Sequence, residues 1–156
     1  MSIPAEGTMA PDFTALMDDD STLQLKSLRG SVVVLFFYPK DDTSGCTKEA
    51  CGFQDALPRL AGVHATVIGV SPDPVKSHVK FKAKYGLTYP LVADTDHAVC
   101  EAYGVWAEKS MYGRKYMGVL RTTFVIDQKG RIASVFEKVK PEGHALEVAD
   151  AVKALA

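Results

Sequence analysis

The sequence predicts an α/β fold with a mixed central β-sheet flanked by helices. Residues 32–38 and 65–70 are continuous apolar runs of strand length, which is typical of strands buried on both faces. The segments that follow them carry apolar residues at helical spacing, so strands and helices alternate along the chain. Since 156 residues are typical of one hydrophobic core, we expect a single domain over residues 1–156.

The N-terminal part of the chain predicts a hairpin that leads into the first buried strand. Residues 1–12 have no clear period and are expected to be irregular. Residues 13–28 alternate loosely around the turn cluster Asp18-Asp19-Asp20-Ser21, which indicates a small β-hairpin. After the strand at 32–38, the period changes to that of a helix over residues 46–61, and Pro58 is expected to kink or end this helix near its last turn.

The middle of the chain predicts a second helix between two strands. After the strand at 65–70, Pro74 is placed at the first position of a helix that reaches about Tyr85. The residues expected to face inward from this helix are Val75, Val79 and Phe81. A short strand at 89–93 follows, and Asp96 is expected to cap a short helix that reaches about Tyr103.

The C-terminal part predicts a hairpin and a closing helix. Residues 122–127 and 132–136 are strand-like runs on either side of the turn Gln128-Lys129-Gly130. Residues 143–155 predict the last helix, whose apolar stripe consists of Ala145, Val148, Val152 and Leu155. The chain should therefore close on an antiparallel pair of strands and a helix.

Composition excludes several classes of protein. The 18 lysines and arginines nearly balance the 19 aspartates and glutamates, which argues against a nucleic-acid partner. The longest apolar run, residues 32–37, is far shorter than the roughly 20 residues of a membrane span. Residues 1–13 show no targeting signal, so a cytoplasmic location is expected. Three cysteines are too few, and odd in number, for a disulfide-stapled scaffold.

The most informative segment joins the strand at 32–38 to the helix at 46–61. Cys46 is expected in the first turn of that helix, where unpaired backbone N–H groups and the helix dipole favour a thiolate. Thr43 and Ser44 can cap the helix, and the Thr43 hydroxyl can lie beside the sulfur. The alternative is that Cys46 is an ordinary core residue on an apolar helix face.

Cys51 lies five positions after Cys46. In an intact helix this spacing separates the two Cα atoms by about 8.7 Å. A disulfide tolerates roughly 4.4–6.8 Å, so a bond between these cysteines would require the first turn to unwind. Cys51 could otherwise be a small buried residue beside Ala50.

Residues 38–51 resemble the active-site segment of the peroxiredoxins, most closely that of the bacterioferritin comigratory protein or peroxiredoxin Q subfamily. The family pattern Pro-x-x-x-Thr-x-x-Cys is met at Pro39, Thr43 and Cys46. Residues 111–127 resemble a second motif of the subfamily, with Arg121 at the position of its active-site arginine and Thr122 where a serine is common. The resemblance extends from about Pro11 to the last helix and implies a thioredoxin-like fold.

This resemblance implies a thioredoxin-dependent peroxidase that reduces hydrogen peroxide and organic hydroperoxides. Cys46 would attack the peroxide and become a sulfenic acid, with Arg121 and backbone N–H groups binding the reacting atoms. Thr43 would orient the peroxide, and Pro39 would cover the sulfur. Cys51 would resolve the sulfenic acid as a disulfide that thioredoxin reduces. The subfamily resemblance favours a monomer, with a weak dimer as the alternative. No cofactor is expected, and the chain shows no second short-spaced pair of metal ligands.

Two other functional classes remain open on the sequence. A thiol–disulfide oxidoreductase would normally carry two cysteines two residues apart, which this chain does not. A peroxide sensor or holdase could use the same cysteine and would differ only in lacking turnover. Cys100 is expected to be a packed thiol, with zinc binding beside His97 a minor alternative. All four histidines are expected to be exposed or capping residues; these are His64, His78, His97 and His144.

Overall fold

The computed structural model describes residues 3–62 and 64–155 and contains a five-stranded mixed sheet, two small hairpins and four α-helices. Met1 and Ser2 of the predicted irregular arm lie outside the described residues. The strands are β1 (Thr14–Leu16), β2 (Thr22–Gln24), β3 (Val32–Phe37), β4 (Ala65–Ser71), β5 (Leu91–Ala93), β6 (Trp106–Met111), β7 (Arg114–Val119), β8 (Thr122–Ile126) and β9 (Ile132–Phe136). The helices are α1 (Ser44–Ala61), α2 (Val75–Tyr85), α3 (Ala98–Ala102) and α4 (His144–Lys153).

The central sheet has the strand order β5-β4-β3-β8-β9. β3 lies in the middle, parallel to β4 and antiparallel to β8, so the mixed sheet predicted from the sequence is confirmed. All six residues of β3 are buried, in agreement with its continuous apolar run. Because β3 leads directly into α1, the start of that helix lies at the end of the central strand of the sheet.

The two faces of the sheet contact different layers of the core. Phe36 lies in the layer formed with α1, α2 and α4, where its ring stacks on Phe53 at 4.6 Å and Val148 is fully buried. Phe37 points to the other face, where it packs against Tyr103 with ring centroids 5.3 Å apart. This alternation follows from the two-residue period of a strand.

The predicted N-terminal hairpin is confirmed. β1 and β2 pair antiparallel, with Leu16 opposite Thr22 around the aspartate-rich turn. Asp20 in that turn has a φ of 66°, a conformation that aspartate tolerates better than most residues. A 3₁₀ helix over Leu25–Leu28 then leads to β3.

The helices confirm the sequence-predicted periods but differ in detail. α1 continues past Pro58 and ends at Ala61. Of the residues predicted to face inward from α2, Phe81 is buried and Val75 is half-buried. The prediction for Val79 is wrong, because this residue is 51% exposed. His78 takes the inward position instead, since it lies three residues before Phe81 on the same helical face.

The predicted cap of α3 is only partly right. Asp96 Oδ1 accepts a hydrogen bond from the Ala98 backbone N–H at 3.2 Å. The shorter bonds are to Asp94, whose two carboxylate oxygens accept the N–H groups of Val99 at 3.0 Å and Cys100 at 2.8 Å. Asp94 is buried, so tertiary packing, and not local sequence, selects the aspartate that caps this helix.

The C-terminal hairpin of β8 and β9 and the closing helix α4 agree with the prediction. The hairpin of β6 and β7 was not predicted. Its turn is formed by Tyr112 and Gly113, which both have positive φ angles, the conformation that a two-residue hairpin turn requires. Among the residues described, no helix combines the length and the apolar composition that a membrane crossing needs.

Candidate active site

The candidate site lies where β3 passes into α1, and it contains Cys46 in the first turn of the helix. Cys46 is 1% exposed and is a free thiol. Thr43 is the residue that precedes α1, and its carbonyl accepts the hydrogen bond of the Thr47 N–H at 2.8 Å. Cys46 therefore lies at the helix end whose unpaired N–H groups and dipole favour an anion.

Thr43 does not cap the helix with its side chain, so that part of the sequence prediction is wrong. Its hydroxyl instead donates to the Lys40 carbonyl at 3.0 Å, and the residue is exposed. Pro39 is half-buried in the loop between Tyr38 and the helix. Both residues thus belong to the loop that joins β3 to α1 and precedes Cys46.

A buried hydrogen-bond network anchors this loop to the rest of the protein. The Tyr38 hydroxyl donates to Asp41 Oδ1 at 2.6 Å, and the Ser77 hydroxyl donates to Asp41 Oδ2 at 2.8 Å. His78 Nδ1 lies 2.7 Å from the same Oδ2, and its Nε2 donates to the Val92 carbonyl at 2.9 Å. Because His78 and Asp41 are buried, these contacts hold the loop in one position.

Arg121 is the residue that precedes β8, and its guanidinium contacts the sulfur of Cys46. Its Nη2 donates to Cys46 Sγ at 3.2 Å, and its Nη1 donates to Glu49 Oε1 at 2.9 Å. The pKa of Arg121 is raised: burial lowers it, but the negative charges of Cys46 and Glu49 outweigh burial. A planar guanidinium can bridge two acceptors in this way, whereas an ammonium group has no such fixed fork.

Glu49 is a buried carboxyl that shares this arginine with the sulfur. It lies three residues after Cys46 on α1, and its side chain is 0% exposed. Burial raises the pKa of Glu49 to about 7, although Arg121 acts to lower it. Its second oxygen, Oε2, has no hydrogen-bond partner and lies 3.9 Å from His144 Nε2.

His144, the first residue of α4, completes the buried cluster. Its side chain is 0% exposed, its Nε2 lies 2.8 Å from the Thr123 hydroxyl, and its Nδ1 lies 2.7 Å from Glu147 Oε1. Burial lowers the pKa of His144, while Glu147 acts to raise it. Titratable side chains therefore connect the thiol of Cys46 with the surface of α4.

The β6–β7 hairpin brings a second cation close to the arginine. The Lys109 ammonium donates to the Val119 carbonyl at 3.0 Å. Burial and the positive charge of Arg121 lower the pKa of Lys109, and the negative charge of Cys46 opposes them. The hairpin thus adds positive potential to the side of the site that faces Arg121.

Cys51 lies further along α1 and is half-buried. Its surroundings are a groove between α1 and α4, whose wall includes Lys48, Arg59, Glu142 and Leu146. Burial raises the pKa of the Cys51 thiol, and the charge of Asp55 adds to this effect. Both cysteines are free and α1 is continuous through them, so the structure shows the site with its first turn wound.

Cys100 does not belong to the candidate site. It is 0% exposed and packs in the layer on the other face of the sheet, as predicted. Burial raises its pKa strongly, and the charge of Asp94 contributes. A thiol in this environment is held in its neutral, unreactive form.

One group of side chains in the described part of the chain has the spacing of metal ligands. Single ligand atoms of Asp41, Asp73 and His78 lie within 4.8 Å of one another. These atoms already take part in hydrogen bonds, since Asp73 Oδ2 accepts from the Asp41 N–H and the Ser71 hydroxyl. The cluster therefore serves to hold the loop before Cys46.

Sequence reasoning missed three residues of the site region. The prediction that all four histidines are exposed or capping is wrong for His78 and His144, which are buried and hydrogen-bonded. No local pattern marks either of them. Glu49 had a usable signal, because its i,i+3 spacing from Cys46 places both side chains on one helical face.

Comparison with known proteins links this geometry to one family. Residues 7–135 match the AhpC/TSA family. The chain is 51% identical over 142 residues to a Coxiella burnetii protein named as a Bcp peroxiredoxin, covering 91% of this chain and 94% of the relative. It is 43% identical over 147 residues to peroxiredoxin Bcp of Bacillus subtilis, covering 94% of each.

Solved structures of similar proteins superpose closely. A Xanthomonas campestris bacterioferritin comigratory protein, solved in trapped-intermediate and ligand complexes that concern its alkyl peroxide reduction activity, matches with a TM-score of 0.90. It is 38% identical, and the match covers 96% of this chain and 98% of that one. A mutant of Xylella fastidiosa PrxQ matches with a TM-score of 0.92 at 38% identity, over 99% and 98% of the two chains.

Proposed function

The chain belongs to the AhpC/TSA family and is a peroxiredoxin, and we propose that Cys46 is its reactive thiol. Peroxiredoxins are thiol peroxidases, which reduce peroxides with a cysteine. The close superposition on peroxiredoxin Q structures also confirms the thioredoxin-like fold. The observation that carries the proposal is the 3.2 Å hydrogen bond from Arg121 Nη2 to Cys46 Sγ.

In the first step, the Cys46 thiolate attacks one oxygen of the peroxide. The sulfur donates an electron pair, the O–O bond breaks, and a sulfenic acid forms at Cys46. The leaving oxygen takes up a proton and departs as water or an alcohol. Arg121 and the N–H groups at the start of α1 stabilise the negative charge that moves from sulfur to oxygen.

Thr43 and Pro39 support this step from the loop before α1. The Thr43 hydroxyl is exposed beside the helix start, so it can turn from the Lys40 carbonyl to a bound peroxide. Pro39 is half-buried and limits the access of water to the sulfur. As the Xanthomonas campestris relative is described by its alkyl peroxide reduction, we extend the substrates to organic hydroperoxides as well as hydrogen peroxide.

In the second step, Cys51 attacks the sulfenic sulfur, water leaves, and a Cys46–Cys51 disulfide forms. Five residues of intact helix hold the two Cα atoms about 8.7 Å apart, which exceeds the range of roughly 4.4–6.8 Å for a disulfide. The first turns of α1 must therefore unwind. A dithiol protein of the thioredoxin kind then reduces the bond by thiol–disulfide exchange.

An intramolecular disulfide needs no second subunit, and we therefore propose that the protein works as a monomer built from a single domain. Reduction by a thioredoxin would place it in the cytoplasm, where dithiol reductants are maintained.

The proposal is tested with wild type, Cys46→Ser, Cys51→Ser and Cys100→Ser, each supplied with peroxide, thioredoxin, thioredoxin reductase and NADPH. Cys46→Ser should lose all peroxide consumption, and Cys51→Ser should react once and then fail to cycle. Cys100→Ser is the matched control, because it removes a buried thiol outside the site, and it should stay near wild type. Full cycling by Cys51→Ser would contradict the resolving role of Cys51, and a wild type that reacts without turning over would indicate a peroxide sensor.

A further inference from the structure

Behind Arg121 lies a pair of buried titratable side chains that the proposed steps do not use. Glu49 and His144 belong to different helices, and both side chains are 0% exposed. Their facing atoms, Glu49 Oε2 and His144 Nε2, lie 3.9 Å apart. The pair is joined to the reacting sulfur through Arg121, which donates to both Cys46 and Glu49.

The hydrogen bonds around the pair leave one buried oxygen without a donor, so the pair can bind one proton. Glu147 Oε1 accepts from His144 Nδ1, so Nδ1 carries a proton, and in the neutral ring Nε2 then accepts from the Thr123 hydroxyl. Neutral Nε2 therefore offers no donor to Glu49 Oε2, which is buried without a partner. A buried carboxylate oxygen that accepts no hydrogen bond is costly even though Arg121 pairs with the other oxygen, and a proton bound by Glu49 or by His144 Nε2 removes that cost.

We propose that Glu49 and His144 form a proton-holding pair that binds one proton while Cys46 is a thiolate and releases it when the sulfur becomes a neutral sulfenic acid. This inference rests on the proposed reaction of Cys46 with peroxide. Glu49 and His144 are positioning residues in this scheme, because they act on the sulfur only through Arg121.

The charges around the pair explain why its proton affinity follows the state of Cys46. From α1, the Cys46 thiolate competes with Glu49 for the single guanidinium of Arg121. When the sulfur loses its charge, Glu49 becomes the only negative group that Arg121 contacts among these two. The ionised form of the Glu49 carboxyl is then more favourable than before, and its pKa falls. Burial raises the pKa of Glu49 to about 7, so uptake and release of this proton can be measured near neutral pH.

The remaining charged and titratable groups near the pair do not change sign in the reaction. Glu147 lies on the far side of His144 and is exposed. Tyr89, whose pKa is raised well above its usual range by burial, stays neutral while its hydroxyl donates to the Ala50 carbonyl. Lys109 adds positive charge on the side of Arg121. The charge on Cys46 is therefore the one that changes beside the pair.

The proton balance of the reaction makes this inference measurable. A thiolate, a hydroperoxide and one proton give a sulfenic acid and an alcohol or water, so one proton is consumed for each peroxide. If the pair releases its proton in the same step, the solution supplies correspondingly less. Glu49 with a pKa of about 7 holds its proton about half of the time at pH 7, so if it ionises when the sulfur loses its charge, the solution should supply about half a proton.

The experiment measures proton uptake with a pH indicator when one equivalent of hydrogen peroxide is added to the reduced protein in weak buffer. The Cys51→Ser background stops the reaction at the sulfenic acid. The ultraviolet absorbance of the thiolate at pH 7 is recorded first, because the inference starts from an ionised Cys46. Uptake at pH 7 should be about half a proton in this background, rising towards one at pH 9.

Three further variants in the same background separate the pair from a structural effect. Glu49→Gln cannot hold the proton and should take up about one proton at both pH values. His144→Gln offers an amide N–H to Glu49 Oε2, which favours the ionised carboxylate, so its uptake at pH 7 should move towards one. Glu101→Gln is the control, because it removes an exposed carboxylate on α3 and should match the background protein.

Two results would overturn the proton-holding pair. One is a full proton of uptake at pH 7 in the protein that retains Glu49 and His144. The other is the absence of thiolate absorbance at pH 7, because the proton would then lie on the sulfur. A failure of Cys46 to react with peroxide at all is a different outcome, and it would contradict the proposed function itself.

Discussion

Arg121 Nη2 lies 3.2 Å from Cys46 Sγ, although the two residues are 75 positions apart in the chain. The contact exists because β3 and β8 are antiparallel neighbours in the central sheet. Cys46 follows the C-terminal end of β3, and Arg121 precedes the N-terminal end of β8. Because the two strands are antiparallel, both residues lie at the same end of the sheet. The register that pairs Phe37 with Thr122 sets this contact between cation and sulfur.

Arg121→Lys should slow the reaction with peroxide although the positive charge is kept. An ammonium group cannot bridge Cys46 and Glu49 as the planar guanidinium does. Loss of one such preorganised donor typically lowers a rate by about 100-fold, and we expect a decrease of this order in the second-order rate constant. Stopped-flow measurements of peroxide reduction would check this, with the exposed Arg29→Lys as control. An Arg121→Lys variant as fast as wild type would contradict the bidentate role.

Oxidation should unwind the start of α1. Because helical Cα atoms five positions apart are too far separated for a disulfide, formation of the Cys46–Cys51 bond must break hydrogen bonds of the first turns. Hydrogen–deuterium exchange should therefore become faster over residues 43–51 after one equivalent of peroxide. Exchange over α4 should stay unchanged.

Cys51→Ser provides the control for this unwinding. The sulfenic acid forms in that variant, but no disulfide follows, so residues 43–51 should keep slow exchange. Equal acceleration in Cys51→Ser and wild type would show that oxidation of Cys46 alone opens the helix.

Glu49 should make stability fall as the pH rises. Its pKa is about 7 in the folded protein, against an ordinary value of 4.5, so between these pH values the folded state binds more protons than the unfolded state. The contribution of this group is fully present below pH 4.5 and is lost by about pH 7. The difference between the two pKa values corresponds to about 3 kcal/mol.

Urea unfolding of wild type and Glu49→Gln at pH 5 and pH 8 measures this contribution. Between pH 5 and pH 8, the free energy of unfolding of wild type should fall by about 2.5 kcal/mol relative to that of the variant, because part of the contribution is already lost at pH 5. A constant difference between the two proteins would show that Glu49 ionises normally.

Asp41 and Asp42 should differ greatly in their contribution to stability. Asp41 is buried and contacts His78 Nδ1 at 2.7 Å, so Asp41→Asn should lower the free energy of unfolding by about 3 kcal/mol. Asp42 pairs with Lys84 at the surface, and Asp42→Asn should leave the free energy of unfolding close to that of wild type. Urea unfolding of both variants checks this, and equal losses would contradict the anchoring role of the Asp41–His78 contact.

Much of the fold could be predicted from local patterns. The buried strand before Cys46 has an uninterrupted apolar run, and α1 and α4 carry clear helical periods. The β6–β7 hairpin was missed because several of its residues are exposed, so it lacks a strong apolar alternation. Its turn at Tyr112 and Gly113 was a signal that could have been used.

The site could be predicted only in part. Cys46, Thr43 and Pro39 lie within one segment and form a recognisable motif, and the position of Arg121 came from resemblance to a family. The burial of His78 and His144 could not be predicted, because it depends on how α2 and α4 are rotated against the sheet. The rotation was also the reason for the error at Val79.

The α/β class, the buried central strand and a cysteine in the first turn of a helix could all be predicted from local sequence. Each of these depends on residues close together in the chain, where spacing and side-chain type decide the local structure. In contrast, the bridge that Arg121 forms between Cys46 and Glu49, and the position of His144 behind Glu49, depend on how distant parts of the chain pack together. Contacts of this kind depend on strand order, register and helix rotation, which the packing of the whole core determines.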